Sequence, residues 1–299
     1  MRISERMRYG QVERRVNEAK DANARAMDRL STQKDVTKLS DNPIGATQII
    51  RMRDKITDVK DFQKNVEFSQ GFLQRSDTAL QSISDSLIRA KELAVAMSND
   101  TYDKNSRDAT AREIKELKDQ VVNLANTTFN GRYIFAGFRN QTPPVTADGN
   151  YAGDDGAIFL QLTPGNFRQI NLPGRYLFEA SPEEQSQGHF NMVHTLEVLY
   201  DGLHNNDKES IHKALGELDF QMGKASSAQA TIGAMENTLK DASQQLGTQE
   251  VQMRERLSKV QDTDMYKATS EFKRTEAVLQ GTLMASNKLL QPSLLNFMQ

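Results

Sequence analysis

Apolar residues recur every seven positions along much of this chain. Met52, Val59, Val66, Leu73, Leu80, Leu87 and Ala94 form one series. Phe62, Ile83, Ala90 and Met97 fall three residues further on, while Lys55, Ser69 and Ser76 take the other positions of that second series and weaken it. Sustained seven-residue spacing marks a long helix packed along a neighbour with coiled-coil geometry. Asn42 is a good N-cap and Pro43 suits the first helical position, so the helix is predicted to begin there. Asn99 and Asp100 punctuate it, and a loop is expected to about Asn105. Thr110 and Glu113 have capping-box spacing. Ile114, Leu117, Val121 and Leu124 then predict a shorter amphipathic helix folded back beside the first.

A second series, Leu218, Ala225, Ile232, Leu239, Leu246, Met253 and Val260, repeats the spacing. Its flanks are mostly polar or small, so the seam is narrow and needs a partner helix. The first series is the favoured partner, because a central insert returns the chain; an intermolecular coiled coil is the alternative. Proline placement separates these regions. Pro143, Pro144, Pro164, Pro173 and Pro182 cluster centrally, Pro43 and Pro292 stand alone, and 44–142 and 183–291 contain none. A proline inside a helix costs about 3 kcal/mol. The central stretch reads as β, with strands at Ala157–Leu162, Phe167–Leu172 and Arg175–Ala180 and turns at Asp148-Gly149, Pro164-Gly165 and Pro173-Gly174.

At the N-terminal end Val12, Val16, Ala19, Ala26 and Leu30 follow four-three spacing, with Asn23 interrupting. Leu279, Leu283, Leu290, Leu294 and Phe297 supply the apolar positions near the other end. Each end predicts one helix with no local partner, and such helices are marginal in water. Ordering a residue costs about 1–2 kcal/mol, whereas a buried Leu returns only about 1.5–3 kcal/mol. The termini are therefore expected to be mobile in the monomer and to fold when subunits assemble, with these ten residues as the assembly interface. The expected fold is mainly α: a long antiparallel helical coiled-coil rod built from both chain ends, with a small central β domain inserted. The expected divisions are terminal helices at 1–40 and 270–299, rod at 41–130 and 183–269, and β insert at 131–182.

The chain has 299 residues and a net charge of -2, which argues against an electrostatic nucleic-acid partner. Cysteine is absent, so no disulfide, thiolate nucleophile or Cys-based zinc site is available. No segment approaches the ~18 apolar residues of a membrane span. Arg2, Arg6 and Arg8 are followed by no apolar h-region, so no secretory signal peptide is expected. His189, His194, His204 and His212 lack the spacing of a helical metal site. Gly216 to Lys224 lacks phosphate-loop spacing, and the 148–159 segment puts Phe159 where a calcium loop needs Glu. No catalytic, cofactor or metal constellation emerges, and the packing stripes are the expected working surface.

Several segments are similar to one family. Leu30-Ser31-Thr32, followed by Ser40-Asp41-Asn42-Pro43-Ile44-Gly45-Ala46, resembles the flagellin superfamily where a terminal helix gives way to the rod. Met1-Arg2-Ile3-Ser4, Met7 and Tyr9 resemble its hook–filament junction branch, as do Phe129 to Gly137, Thr142-Pro143-Pro144, Tyr151 to Asp155 and Ile170 to Gly174. Ser293 to Phe297 resembles the C-terminus of both branches. Gln33 stands where the family usually has Gly, and Leu39 where Pro is common. The resemblance implies a structural, non-enzymatic protein without cofactor, exported unfolded by the flagellar type III apparatus and escorted by an export chaperone. It implies a homo-oligomeric ring between the hook-side junction protein and flagellin, with Ser40, Asp41, Asn42 and Pro43 as the turn into the rod. Flagellin itself, the bulk filament subunit, is the alternative; a soluble coiled-coil adaptor and an enzyme in the insert are others.

Overall fold

The computed structural model describes residues 2–98 and 103–290. The chain divides into two compact units: Met1–Asp58 with Gln249–Gln299, and Val59–Thr248. Helices α2 (Pro43–Met97) and α7 (Lys208–Gln261) contribute to both. Within the larger unit α2 buries Val59, Val66, Leu73, Leu80, Leu87 and Ala94, and α7 buries Leu218, Ala225, Ile232, Leu239 and Leu246. Lys91 pairs with Asp219, and Gln229 Nε2 donates to Gln81 Oε1 at 3.1 Å. Ten residues back along α2 is thus ten residues forward along α7, and the two run antiparallel. The pairing is intramolecular. Ser69 and Ser76 sit in this seam because each hydroxyl donates to its own helix, to the Asn65 and Phe72 carbonyls; a buried polar group so satisfied costs little.

Helix α3 (Lys104–Ala125) returns beside α2, where Arg89 pairs with Glu113 at 2.8 Å. Its cap is Asp103, whose carboxylate accepts from Ser106 N, and not Thr110. Asp103 already satisfies a free N–H of the first turn, so the helix starts earlier than the Thr110–Glu113 spacing suggests; the Thr110 hydroxyl donates to Ser106 O inside the helix. The expected punctuation at Asn99 and Asp100 lies outside the described residues.

The insert begins with a hairpin, β1 (Thr128–Phe129) and β2 (Arg132–Tyr133). Asn130 and Gly131 have φ of 50° and 76°, the two positive angles a type I′ turn needs. Ile134, Phe135 and Ala136 then run into the core. Gly137 follows with φ 68°, and a side chain there would strike Asp154. The Asp154 carboxylate accepts from Phe138 N at 2.7 Å and Gly156 N at 2.9 Å, and the Phe138 bond above all holds its pKa low. The Tyr151 hydroxyl donates to Phe135 O at 2.7 Å, and burial pushes its pKa up to about 12. The Phe129–Gly137 segment is thus a folding signature of the insert.

Strands β3 (Phe159–Thr163) and β4 (Asn166–Gln169) pair antiparallel around Pro164-Gly165. The expected strand at Arg175–Ala180 is instead a helical turn, α4 (Arg175–Phe178). The Gly174 carbonyl accepts from Leu177 N and Phe178 N. One turn buries both Leu177 and Phe178, with Phe178 edge-on to Phe135 at 5.5 Å; successive strand residues would face opposite sides. Helix α5 (Pro182–Ser186) follows with a Ser181–Glu184 capping box. Helix α6 (Met192–Asn205) then packs on α3, burying Met192, Val193, Leu196, Leu199 and Leu203.

In the smaller unit α1 (Arg2–Thr32) packs against α8 (Met265–Leu290). Nearby, Val36, Ala46 and Ile49 form a core with Leu257 and Val260.

Candidate assembly surface

The terminal helices meet along a seam with polar ties. Thr275 Oγ1 lies 3.3 Å from Asn23 Oδ1, and Arg29 reaches Glu271 at 3.4 Å. Around these ties the inward positions of α1 are Val12, Val16, Ala19, Asn23, Ala26 and Leu30, all buried or half-buried. On α8 they are Ala268, Phe272, Thr275, Leu279, Thr282 and Ser286. The two sets carry the same four-three spacing in opposite directions, as an antiparallel coiled coil requires.

What this seam buries is small. Its most enclosed residues are Ala19, Ala26 at 4% exposure, Ala268 at 4% and Ser286. Its larger side chains, Val12, Val16, Leu30, Phe272 and Leu279, are half-buried, and others lie outside: Met27 is 50% exposed, Val278 55% and Met284 68%, joined by Met7, Tyr9 and Leu283. Scattered surface apolars are ordinary, and at 3.6 residues per turn Val278, Leu283 and Met284 point to different sides of α8, Val278 and Leu283 flanking the seam and Met284 facing away from it. Of the expected interface residues, Val12, Val16, Ala19, Ala26, Leu30 and Leu279 lie in the seam, whereas Leu283 lies outside it. For Leu290 only the helix backbone is described, and Leu294 and Phe297 lie outside the described residues. Sequence reasoning missed Ala268, Phe272, Thr275, Thr282 and Ser286. Their four-three spacing was there to find, but three of the five carry hydroxyls.

Both terminal helices break at a shared joint. After Thr32, Gln33 takes φ 57°, the left-handed conformation that a glycine would adopt without strain. Lys34 and Asp262 form an antiparallel bridge; Asp35 N donates to Gln261 O at 2.8 Å and Thr263 N to Gln33 O at 3.0 Å. The turn into α2 runs through Asp41, Asn42 and Pro43. Asn42 Oδ1 accepts from Gly45 N at 2.9 Å, with Pro43 first in the helix. A side chain on Gly45 would press on Asn42, which explains a glycine there. Asp41 accepts from Lys38 N at 2.9 Å, Thr37 N and the Thr37 hydroxyl, and its pKa is lowered, mainly by the Lys38 bond. Ser40 is exposed. Asp264 caps α8 through Tyr266 N.

Of the four histidines, His189 is packed, while His194, His204 and His212 are exposed. His189 stacks on Phe220 with centroids 3.9 Å apart and its Nδ1 lies 2.9 Å from Glu217. Among the described residues no group of three or more His, Cys, Asp or Glu side chains is placed to hold a metal ion. Nor is any described helix long and apolar enough to cross a membrane.

Known proteins resemble this chain at both ends. Residues 3–140 match the family model of the bacterial flagellin N-terminal helical region, and 215–298 that of the C-terminal helical region. The flagellar hook-associated protein 3 of Escherichia coli strain K12 is 30% identical over 182 residues, 60% of this chain and 57% of that protein. The match thus spans little more than half of that relative's length. The flagellin of Bacillus subtilis strain 168 is 24% identical over 288 residues, 94% of each chain. The crystal structure of Bacillus cereus FlgL superposes with a TM-score of 0.61 at 25% identity, covering 70% of this chain and 99% of that one.

Proposed function

The chain belongs to the flagellin family, and from that premise we propose that it is the structural subunit joining hook to filament in a bacterial flagellum. It is exported, held by a chaperone on the way, and built with copies of itself into a ring between the hook-side junction protein and flagellin. The similarity to hook-associated protein 3 supports this reading over the rest of the family. The observation that carries the mechanism is the inverted packing of the terminal pair. The seam between α1 and α8 encloses alanines and Ser286 and leaves Val12, Val16, Leu30, Phe272 and Leu279 half-buried, while methionines, Val278 and Leu283 face outward. Such a pair has apolar surface to bury against neighbouring copies. On this reading residues 1–40 and 270–299 are mobile in the monomer, where α1 and α8 pair only transiently, and fold fully on assembly; 41–130 with 183–269 form the rod, and 131–182 is the outward β insert.

The second reading is flagellin itself, supported by the Bacillus subtilis flagellin match over nearly the full chain. Electron microscopy of a strain lacking the gene, with a blot of its medium for flagellin, separates the two. Bare hooks with flagellin spilled into the medium are expected. Bare hooks without spilled flagellin would identify the filament subunit, and normal filaments would overturn both readings. Leu283→Asp, which alters an exposed residue, is expected to block assembly and leave the larger unit folded.

A further inference from the structure

The Lys34–Asp262 bridge ties the near ends of α1 and α8; where that joint opens, a helix pair with a thin seam needs something besides apolar packing to fix its register. Small and hydroxyl residues fit many partners, and sliding α1 along α8 by one heptad would keep the four-three pattern in phase. Thr282 and Ser286 give no cross-helix signal, because their hydroxyls donate to their own helix, to the Val278 and Thr282 carbonyls. Two side-chain ties do cross: the Thr275 hydroxyl, which also donates to its own Phe272 carbonyl at 2.9 Å, reaches Asn23 Oδ1 at 3.3 Å, and Arg29 reaches Glu271. Arg29 also lies 3.7 Å from Asp35 in the joint.

Sliding in each direction tests these ties differently. If α1 moves seven residues toward the C-terminal end of α8, Asn23 meets Thr282, another hydroxyl, and is content. Arg29 then loses Glu271 and faces Val278, and Thr275 is pressed against Leu30. If α1 moves seven residues the other way, Arg29 meets Asp264, another carboxylate, and is content. Asn23 then loses Thr275 and faces Ala268, and Leu30 passes the start of α8. Each tie tolerates the slide that the other forbids.

We infer that Asn23 and Arg29 are complementary register-setting residues of the terminal helix pair, Asn23 excluding one heptad slide and Arg29 the opposite one. Asn23, an interruption in the apolar pattern of α1, is thus a specificity element: a polar residue in a coiled-coil seam gives up some stability and fixes alignment. The inference deepens the assembly reading, since copies that expose their large side chains at different heights could not form a regular ring.

The test uses the purified full-length chain, whose lack of cysteine makes every disulfide an engineered one. Three pairs report register: Ala19→Cys with Leu279→Cys for the observed alignment, Ala19→Cys with Phe272→Cys for one slide, and Ala19→Cys with Ser286→Cys for the other. Intramolecular crosslinking under mild oxidation is read on a denaturing gel. With Asn23 and Arg29 present, the 19–279 product is expected to dominate. Asn23→Leu should raise the 19–272 product several-fold while leaving 19–286 low; Arg29→Gln should raise 19–286 and leave 19–272 low. General loosening of the pair would raise both alike. Equal yields from all three pairs in the parent, no crosslink in any, a rise of both slipped products in either variant, or no change in either variant would each overturn the inference. The assembly reading is judged separately, by whether the chain appears in sheared surface appendages.

Discussion

Two helix pairs in this protein share one spacing and differ in what they put into it. In the larger unit the seam between α2 and α7 is filled by Leu73, Leu80, Leu87, Leu218 and Ile232, all fully buried. In the terminal pair the same four-three rhythm encloses Ala19, Ala26, Ala268 and Ser286, while Val12, Val16, Leu30, Phe272 and Leu279 stay half-buried and other large side chains are left outside. Burying a Leu or Ile gives about 1.5–3 kcal/mol, and an alanine methyl much less. The first pair can therefore hold itself together, aided by α3 and α6. The second buries too little for two helices of this length. Heptad spacing shows that helices pair; the size of the seam residues shows whether the pair is complete alone.

The sharpest way to break this comparison is one truncation in each seam region. Leu80→Ala removes a fully buried side chain from the larger unit and should cost about 2–5 kcal/mol of stability, read as a fall in the urea midpoint. Met284→Ser removes a side chain of similar size from the outer face of α8, and should change monomer stability by no more than about 0.5 kcal/mol. Its effect should appear in assembly, as reduced incorporation into appendages. If Met284→Ser destabilised the monomer as much as Leu80→Ala, the terminal pair would be an ordinary core and the comparison would fail.

The long-period features were legible in sequence because they repeat. The seven-residue series in α2 and α7 locate both helices, and Asn42-Pro43 marks the start of α2, since each signal depends only on near neighbours. Short apolar runs were not legible in the same way. Arg175–Phe178 carries Tyr, Leu and Phe in succession, which suits a strand as well as a buried helical turn. The choice was made by Gly174, whose carbonyl accepts the N–H groups of Leu177 and Phe178. Helix α6 falls within the 183–269 stretch expected to be helical rod, but was not read as a separate helix, though Met192, Leu196, Leu199 and Leu203 follow helical spacing. The α8 seam was half-hidden for a chemical reason. Thr275, Thr282 and Ser286 do not register as apolar, so the Leu279–Leu283–Leu290 series took their place and grouped Leu283, which lies outside the seam, with Leu279, which lies in it. Asn23 looked like a flaw in α1 because its partner Thr275 was invisible from one end of the chain.

A smaller effect sharpens the comparison at the joint between the regions of α1 and α2. Gln33 holds φ 57°, a conformation that costs a non-glycine residue about 1–2 kcal/mol. Glycine removes that strain and adds about 0.5–1 kcal/mol of unfolded-chain entropy. Gln33→Gly should therefore stabilise the joint by roughly 1 kcal/mol or less. The amides to watch are Asp35 and Thr263, which donate to the Gln261 and Gln33 carbonyls across the bridge. Both should exchange more slowly with solvent deuterium in the assembled state. Faster exchange would mean that the glutamine side chain contributes more to the joint than its backbone strain removes.

The smallest expected effect lies in the complete pair and concerns charge. Glu236 of α7 is half-buried near Asp77 of α2, and its pKa is raised, first by burial and then by the like charge of Asp77. A carboxyl whose folded-state pKa exceeds its unfolded value binds its proton more readily in the folded chain, so through this group acid favours folding. The contribution is fully present below the ordinary carboxylate pKa and is lost as pH rises through the raised one. Glu236→Gln keeps the shape and removes the charge. It should be more stable than the parent above the raised pKa, by no more than about 0.5 kcal/mol for so accessible a group. That difference should close as pH falls toward the usual glutamate range. Urea midpoints of both proteins across that interval provide the measurement. A difference independent of pH would show that Glu236 acts through its packing, and would leave the α2–α7 seam as insensitive to charge as its buried leucines suggest.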